Sequence, residues 1–243
     1  MGCELLTRTN FRTTPAWARA HLRSCALSAC AVDLCVFRRA GDTPEQKKQH
    51  MQPSVVCATV VSLEAIEAIE ASPAAGESPA CTNHTFWRDD NDAKDGPFEL
   101  LLQLFDGASV IVGYNVLSFD FPVMQKFYGG RCGRAMQRYA SHVAKTLDPF
   151  SRLRYAYGAW LPLNELLSDN GLPVKISSGL EAIRMWEQDR RRELEEYCAA
   201  DVDLLLRLVL LPEVRCARLG KQPLSEWAVS LRCAMRVAAP RAE

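Results

Sequence analysis

Two short stretches combine residue types and spacings that suit chemistry on a phosphate ester. The first spans residues 113–124, GYNVLSFDFPVM, where an apolar strand runs into Asn115, then into Phe119 and Asp120, with Pro122 opening a helix. A strand end delivers Asp120 to the edge of a sheet, where a carboxylate can hold a divalent cation, while Asn115 and Phe119 can approach a nucleotide. The plainer reading makes Asp120 a helix cap and Asn115 a turn residue. The second stretch is YCAAD, which sets Tyr197 and Asp201 four residues apart on one helix face, so both can enter one cleft. A tyrosine there can orient an attacking water beside a metal-bound carboxylate. Taken alone, the pair is equally a half-buried aromatic and a solvated acid.

The elements that must position these residues follow from periodicity and breakers. Residues 30–37, CAVDLCVF, and 54–63, SVVCATVVSL, are short and rich in β-branched residues, as strands are. Residues 70–96 are dense in Ala, Ser, Pro, Asp, Asn and Gly, a loop-rich excursion with one apolar island, Thr85-Phe86-Trp87, suited to an edge strand. Leu101, Leu104 and Phe105 have helical spacing before Gly107, and a third strand is expected over 109–116. Helical patterns then occupy 121–128, 136–144, 161–168, 180–200 and 201–210. An early sheet followed by a helical half is an α/β arrangement of ribonuclease-H type: a mixed sheet flanked by helices, with a helical C-terminal half.

In order and separation the two motifs resemble the second and third motifs of the tyrosine-containing DEDD 3′→5′ exonucleases, and especially the family-B-polymerase-like members that carry Asn-x-x-x-Phe-Asp. The resemblance covers roughly residues 54–210, with residues 145–154, KTLDPFSRLR, resembling the connecting segment. It implies a ribonuclease-H-like fold and a pair of Mg²⁺ or Mn²⁺ ions held by Asp33, Asp120 and Asp201. It also implies that Tyr197 orients water, that Asn115, Phe119 and Lys175 contact substrate, and that the substrate is a single-stranded DNA or RNA end. The family further implies Asp-x-Glu on the first strand. Here Asp33-Leu34-Cys35 stands in that place, with a thiol at the glutamate position. A neutral thiol is a poor Mg²⁺ ligand. Three readings stay open: a displaced first exon, a catalytically inactive nucleic-acid-binding or scaffold module of the same fold, or another acid that substitutes from a loop.

Other signals are weaker. Lys145, Arg152 and Arg154 could line a backbone-tracking groove beside Lys175, whereas the run 189–193, DRRRE, reads as a solvated helix face. The four histidines, His142 among them, show no ligand pattern and suit surface or packing roles. Cys81 and His84 have ligand-like spacing without a second pair, so no zinc site is expected from spacing.

The 243 residues suffice for one buried domain, and 29 basic against 29 acidic residues exclude a global positive field. Ten cysteines without a CxxC pair read as reduced intracellular thiols. No apolar run reaches membrane-span length, because Arg207 interrupts the longest. Residues 1–28 form a leader whose arginines, serines and threonines and single acid, Glu4, match a transit peptide, with a disordered leader or a faulty gene start as alternatives. Leu6 occupies the position where myristoylation needs Ser or Thr. The exonuclease-like domain is expected over 29–211, followed by a basic tail, 212–243, as a terminal helix or frayed end.

Overall fold

A computed structural model describes residues 28–37, 51–62, 64–66, 81–89, 98–129, 133–175, 178–211 and 213–224. The expected leader and most of the basic tail lie outside the described residues. Three long strands come first: β1 (Ser28–Phe37), β2 (Gln52–Ser62) and β3 (Cys81–Trp87). Two short ones follow, β4 (Val110–Val112) and β5 (Thr146–Leu147). The sheet order is β3-β2-β1-β4-β5, with β1–β2 and β2–β3 antiparallel and β1–β4 and β4–β5 parallel. This is the ribonuclease-H-like mixed sheet, and helices cover both of its faces.

Alternation along β1 divides the core in two. Cys30, Val32 and Leu34 face helix α1 (Glu99–Gly107), the short α2 (Asp120–Met124) and α3 (Gly133–Ala144). Ala29, Ala31 and Cys35 face the opposite layer, which contains α4 (Pro149–Tyr157), α5 (Leu163–Asp169), α6 (Gly179–Glu187) and α7 (Arg191–Leu210). In α7 the buried residues Leu194, Cys198, Val202, Leu205 and Leu208 recur at helical spacing, so one stripe lies on β1 and β2 while the far face stays polar.

The structure differs from the sequence expectations in several places, one of them helix α4 over a segment that the sequence reads only as connecting. Strand β4 ends at Val112, and residues 113–119 form a wound turn instead of continuing the strand. The expected helix break after Ala200 lies instead at residues 188–190, where Asp189 takes a left-handed φ of 55° and Arg190 N–H donates to the Met185 carbonyl at 2.8 Å. Helix α7 is therefore continuous through Tyr197 and Asp201. Residues 213–224 form neither a helix nor a frayed end: Arg215–Cys216 pairs with Gly220–Pro223 as the hairpin β6–β7, and Val214, Cys216 and Leu224 join the α4–α7 core layer.

Candidate active site

The turn after β4 is built by local constraints. A Cβ on Gly113 would lie 2.6 Å from the Val116 Cβ, so only glycine fits the close approach. Asn115 sits at φ 64°, a left-handed conformation that asparagine tolerates better than most residues. Its carbonyl accepts from Ser118 and Phe119 N–H at 3.2 and 3.0 Å, which winds the chain into α2 and sets Asp120 at the helix's first residue. Among the described residues the buried Oδ1 of Asn115 has no hydrogen-bond partner. The left-handed backbone and the unpartnered buried oxygen both belong to a residue that lines a cleft.

Asp148 holds this turn from below. Its carboxylate, 1% exposed, accepts from Asn115 N–H at 2.9 Å and Leu117 N–H at 3.1 Å. It also caps α4 by accepting from Ser151 N–H at 3.3 Å and Ser151 Oγ–H at 2.8 Å. The Asp148-Pro149 pair signals a helix start in the sequence, but its second load, the 115–117 backbone, comes only with the fold.

One cleft of about 590 Å³ gathers the sequence-predicted site residues: Asp33 and Cys35 from β1, Asn115, Phe119 and Asp120 from the turn, Lys175 before α6, and Tyr197 and Asp201 from α7. Lys145, Arg152 and Arg154 are not among its lining residues. Lys145 instead donates to the carbonyls of Asp106 and Ala108, and Arg154 stacks over the Trp160 ring. The solvated reading of the 189–193 run holds for Arg192. Arg191, by contrast, lies against the stacked Trp87 and Trp186 rings, 5.2 and 4.9 Å from their centroids, and pairs with Asp89. His142 is buried, bonded to Tyr128 and Asp106.

The cleft's electrostatics are those of crowded acids. Burial and then the neighbouring Cys198 push the Asp33 carboxyl up to about 8, against the pull of Lys175. Burial and the Asp33 charge push Asp120 well above the carboxylate range. Asp201 is raised by burial, although the Lys175 ammonium donates to its Oδ2 at 2.6 Å. Tyr197, bonded to Asp201, is raised by burial and by the Asp201 and Asp33 charges. Burial lowers Lys175, but Asp33 and Asp201 outweigh it and hold the ammonium above its ordinary value. Asp33, Asp120 and Asp201 are the residues of this cleft that could hold a cation, because a cation would relieve both their repulsion and their desolvation.

No protein-family model matches the chain, and no curated protein matches it. Among solved structures it is similar to the family B DNA polymerase from the hyperthermophilic archaeon Pyrobaculum calidifontis, at 15% identity and a TM-score of 0.47, over 88% of this chain and 27% of that one. The chain thus spans about a quarter of the polymerase's length.

Sequence reasoning missed the thiols around Asp33. Cys57 lies directly across from Asp33 on β2, and Cys198 follows Tyr197 on α7. The Cys198 Sγ lies 3.5 Å from the Asp33 carbonyl oxygen and 3.9 Å from its Oδ2 and, against the effect of burial, the neighbouring Cys35 and Cys57 thiols pull the Cys198 thiol below its ordinary value. The only sequence signal for this cluster is Cys198 lying within the Tyr-x-x-x-Asp motif.

Proposed function

We propose that the chain is a metal-dependent 3′→5′ exonuclease acting on single-stranded nucleic-acid ends. The observation that carries this reading is the convergence of Asp33, Asp120 and Asp201, from three separate elements, on one cleft that also holds Tyr197, Asn115, Phe119 and Lys175. The donor set suits hard divalent cations in its carboxylates, whose raised proton affinity reflects charge that a cation would neutralise. Asp33, Asp120 and Asp201 would hold two Mg²⁺ or Mn²⁺ ions. When bound, such ions lower the pKa of a water and offset the charge that develops on the phosphodiester.

The chain's own groups do the rest. The Tyr197 hydroxyl, fixed by its bond to Asp201, orients the attacking water. Asn115 and Phe119 on the wound turn position the terminal nucleotide, Phe119 by stacking. Lys175 offers an ammonium to the backbone phosphate. Water adds to phosphorus, the bond to the leaving 3′ oxygen breaks, and a nucleoside 5′-monophosphate departs.

Cys35 favours a second reading, a non-turning-over module that binds single strands in the same cleft, since a thiol stands where a carboxylate would complete the acidic set. A 5′-labelled single-stranded oligonucleotide incubated with Mg²⁺ or Mn²⁺ separates the two. Stepwise shortening from the 3′ end, abolished by Asp120→Ala, supports the exonuclease. A full-length oligonucleotide that remains bound supports the module.

A further inference from the structure

The geometry points to a soft-metal site in the floor of the cleft: Asp33, Cys35 and Cys198 bind one zinc ion through a carboxylate oxygen and two thiolates. The inference touches the exonuclease reading only through the shared Asp33.

The donor atoms of these three residues all lie within 4.8 Å of one another. Around a tetrahedral zinc, with Zn–S about 2.3 Å and Zn–O about 2.0 Å, a sulfur–oxygen edge is about 3.5 Å and a sulfur–sulfur edge about 3.8 Å. The Cys198 Sγ and Asp33 Oδ2 stand 3.9 Å apart, a few tenths of an ångström from the tetrahedral edge, and the two edges to the Cys35 Sγ lie within 4.8 Å.

The donors sit on rigid elements. Asp33 and Cys35 alternate on one face of the central strand, and Cys198 descends from the α7 stripe that packs on it. Cys198 is fully buried, while Asp33 and Cys35 line the cleft and provide the route of entry. Cys57, across the strand pair from Asp33 and donating to the Glu195 carbonyl of α7, flanks the triangle as a further thiol.

The donor chemistry selects the ion. Mg²⁺ and Mn²⁺ prefer oxygen, whereas a set of two sulfurs and one oxygen suits a borderline-soft tetrahedral ion. Replacement of a carboxylate by Cys35 beside a second buried thiol is a change of metal preference rather than a simple loss of a ligand. Asp120 and Asp201 remain all-oxygen donors on the other side of Asp33.

The test uses the full chain under a non-thiol reductant, with Co²⁺ as the spectroscopic probe and Zn²⁺ as the competitor. The parent should bind one equivalent of Co²⁺ with sulfur-to-cobalt charge-transfer absorption, and Zn²⁺ should remove that absorption. Cys35→Ser and Cys198→Ser should each weaken the sulfur band, the double variant should abolish it, and each single change should weaken Zn²⁺ by at least the about 100-fold that marks the upper cost of losing an outer-shell partner. Cys81→Ser, on β3, should match the parent.

Should either serine variant fail to fold, Cys35→Glu decides: it should keep a ligand, lose sulfur intensity and gain Mn²⁺ affinity. No sulfur band in the parent, or a band unchanged in Cys35→Ser and Cys35→Glu, overturns the site. Asp120→Ala should keep the cobalt band while losing trimming, so the zinc site and the exonuclease reading fail separately.

Discussion

Replacing Asp148 by alanine should destabilise the protein and loosen the cleft at once. The substitution removes the acceptor of two buried backbone donors, Asn115 N–H and Leu117 N–H, and the cap of α4. An orphaned buried donor costs about 1–3 kcal/mol, and a lost N-cap about 1 kcal/mol. The sum is roughly 3–7 kcal/mol, which at about 2–4 °C per kcal/mol for a chain of this size lowers the melting temperature by roughly 6–28 °C. Asp148→Asn keeps one acceptor oxygen and should lose about half as much. Thermal unfolding followed by circular dichroism measures the first effect. Fluorescence anisotropy of a single-stranded oligonucleotide, well below the melting temperature, measures the second, because the same turn presents Asn115 and Phe119. An Asp148→Ala melting temperature within about 2 °C of the parent, with unchanged oligonucleotide affinity, would refute the assignment of Asp148 as the residue that positions the turn.

Three further outcomes are expected. Because the folded Asp33 carboxyl binds its proton up to about pH 8, above the unfolded value of 3.8, its contribution to metal-free stability is full below that lower value and is lost as pH rises through about 8. Asp33→Asn should therefore raise the metal-free melting temperature more at pH 8 than at pH 5, and an equal gain at both contradicts the burial argument. Arg191→Ala removes the cation held against the stacked Trp87 and Trp186 rings and its partly exposed pair with Asp89, costing about 1–2 kcal/mol in urea unfolding; a midpoint unchanged from the parent would count against that contact. Tyr197→Phe keeps the ring but removes the hydroxyl that orients water, so trimming should slow by about 10–100-fold with oligonucleotide affinity unchanged, which single-turnover kinetics would detect.

The sheet and most helices were legible because their signals are local. Alternating burial along β1 and the 3.6-residue stripe of α7 depend on each segment's own apolar pattern. The motif from Asn115 to Asp120 was legible as a set of site residues, but the wound turn that carries it reads in the sequence as the end of a strand over 109–116, because the constraint at Gly113 appears only once the chain folds back on Val116. Legibility fails where tertiary contacts decide. The break before α7 carries no glycine or proline, and Asp189 adopts the left-handed conformation instead, so the sequence reads as uninterrupted helix. The β6–β7 hairpin has Gly220 but too few residues per strand to show alternation. Cys57 and Cys198 meet only when α7 docks on β2, and no spacing rule links residues on elements so distant in sequence. Asp148 is a legible helix cap, but its hold on the 115–117 backbone depends on β4 and β5 lying side by side.

A nuclease centre formed by the carboxylates of β1, α2 and α7 is tested most directly by the product released from a 3′-labelled single strand in the presence of Mg²⁺ or Mn²⁺, comparing the parent with Asp201→Asn. Release of the labelled terminal residue as a nucleoside 5′-monophosphate, abolished by chelation and by the substitution, is the predicted result. Intact label on a strand that the parent still binds, with either metal, would contradict the exonuclease and leave a binding module.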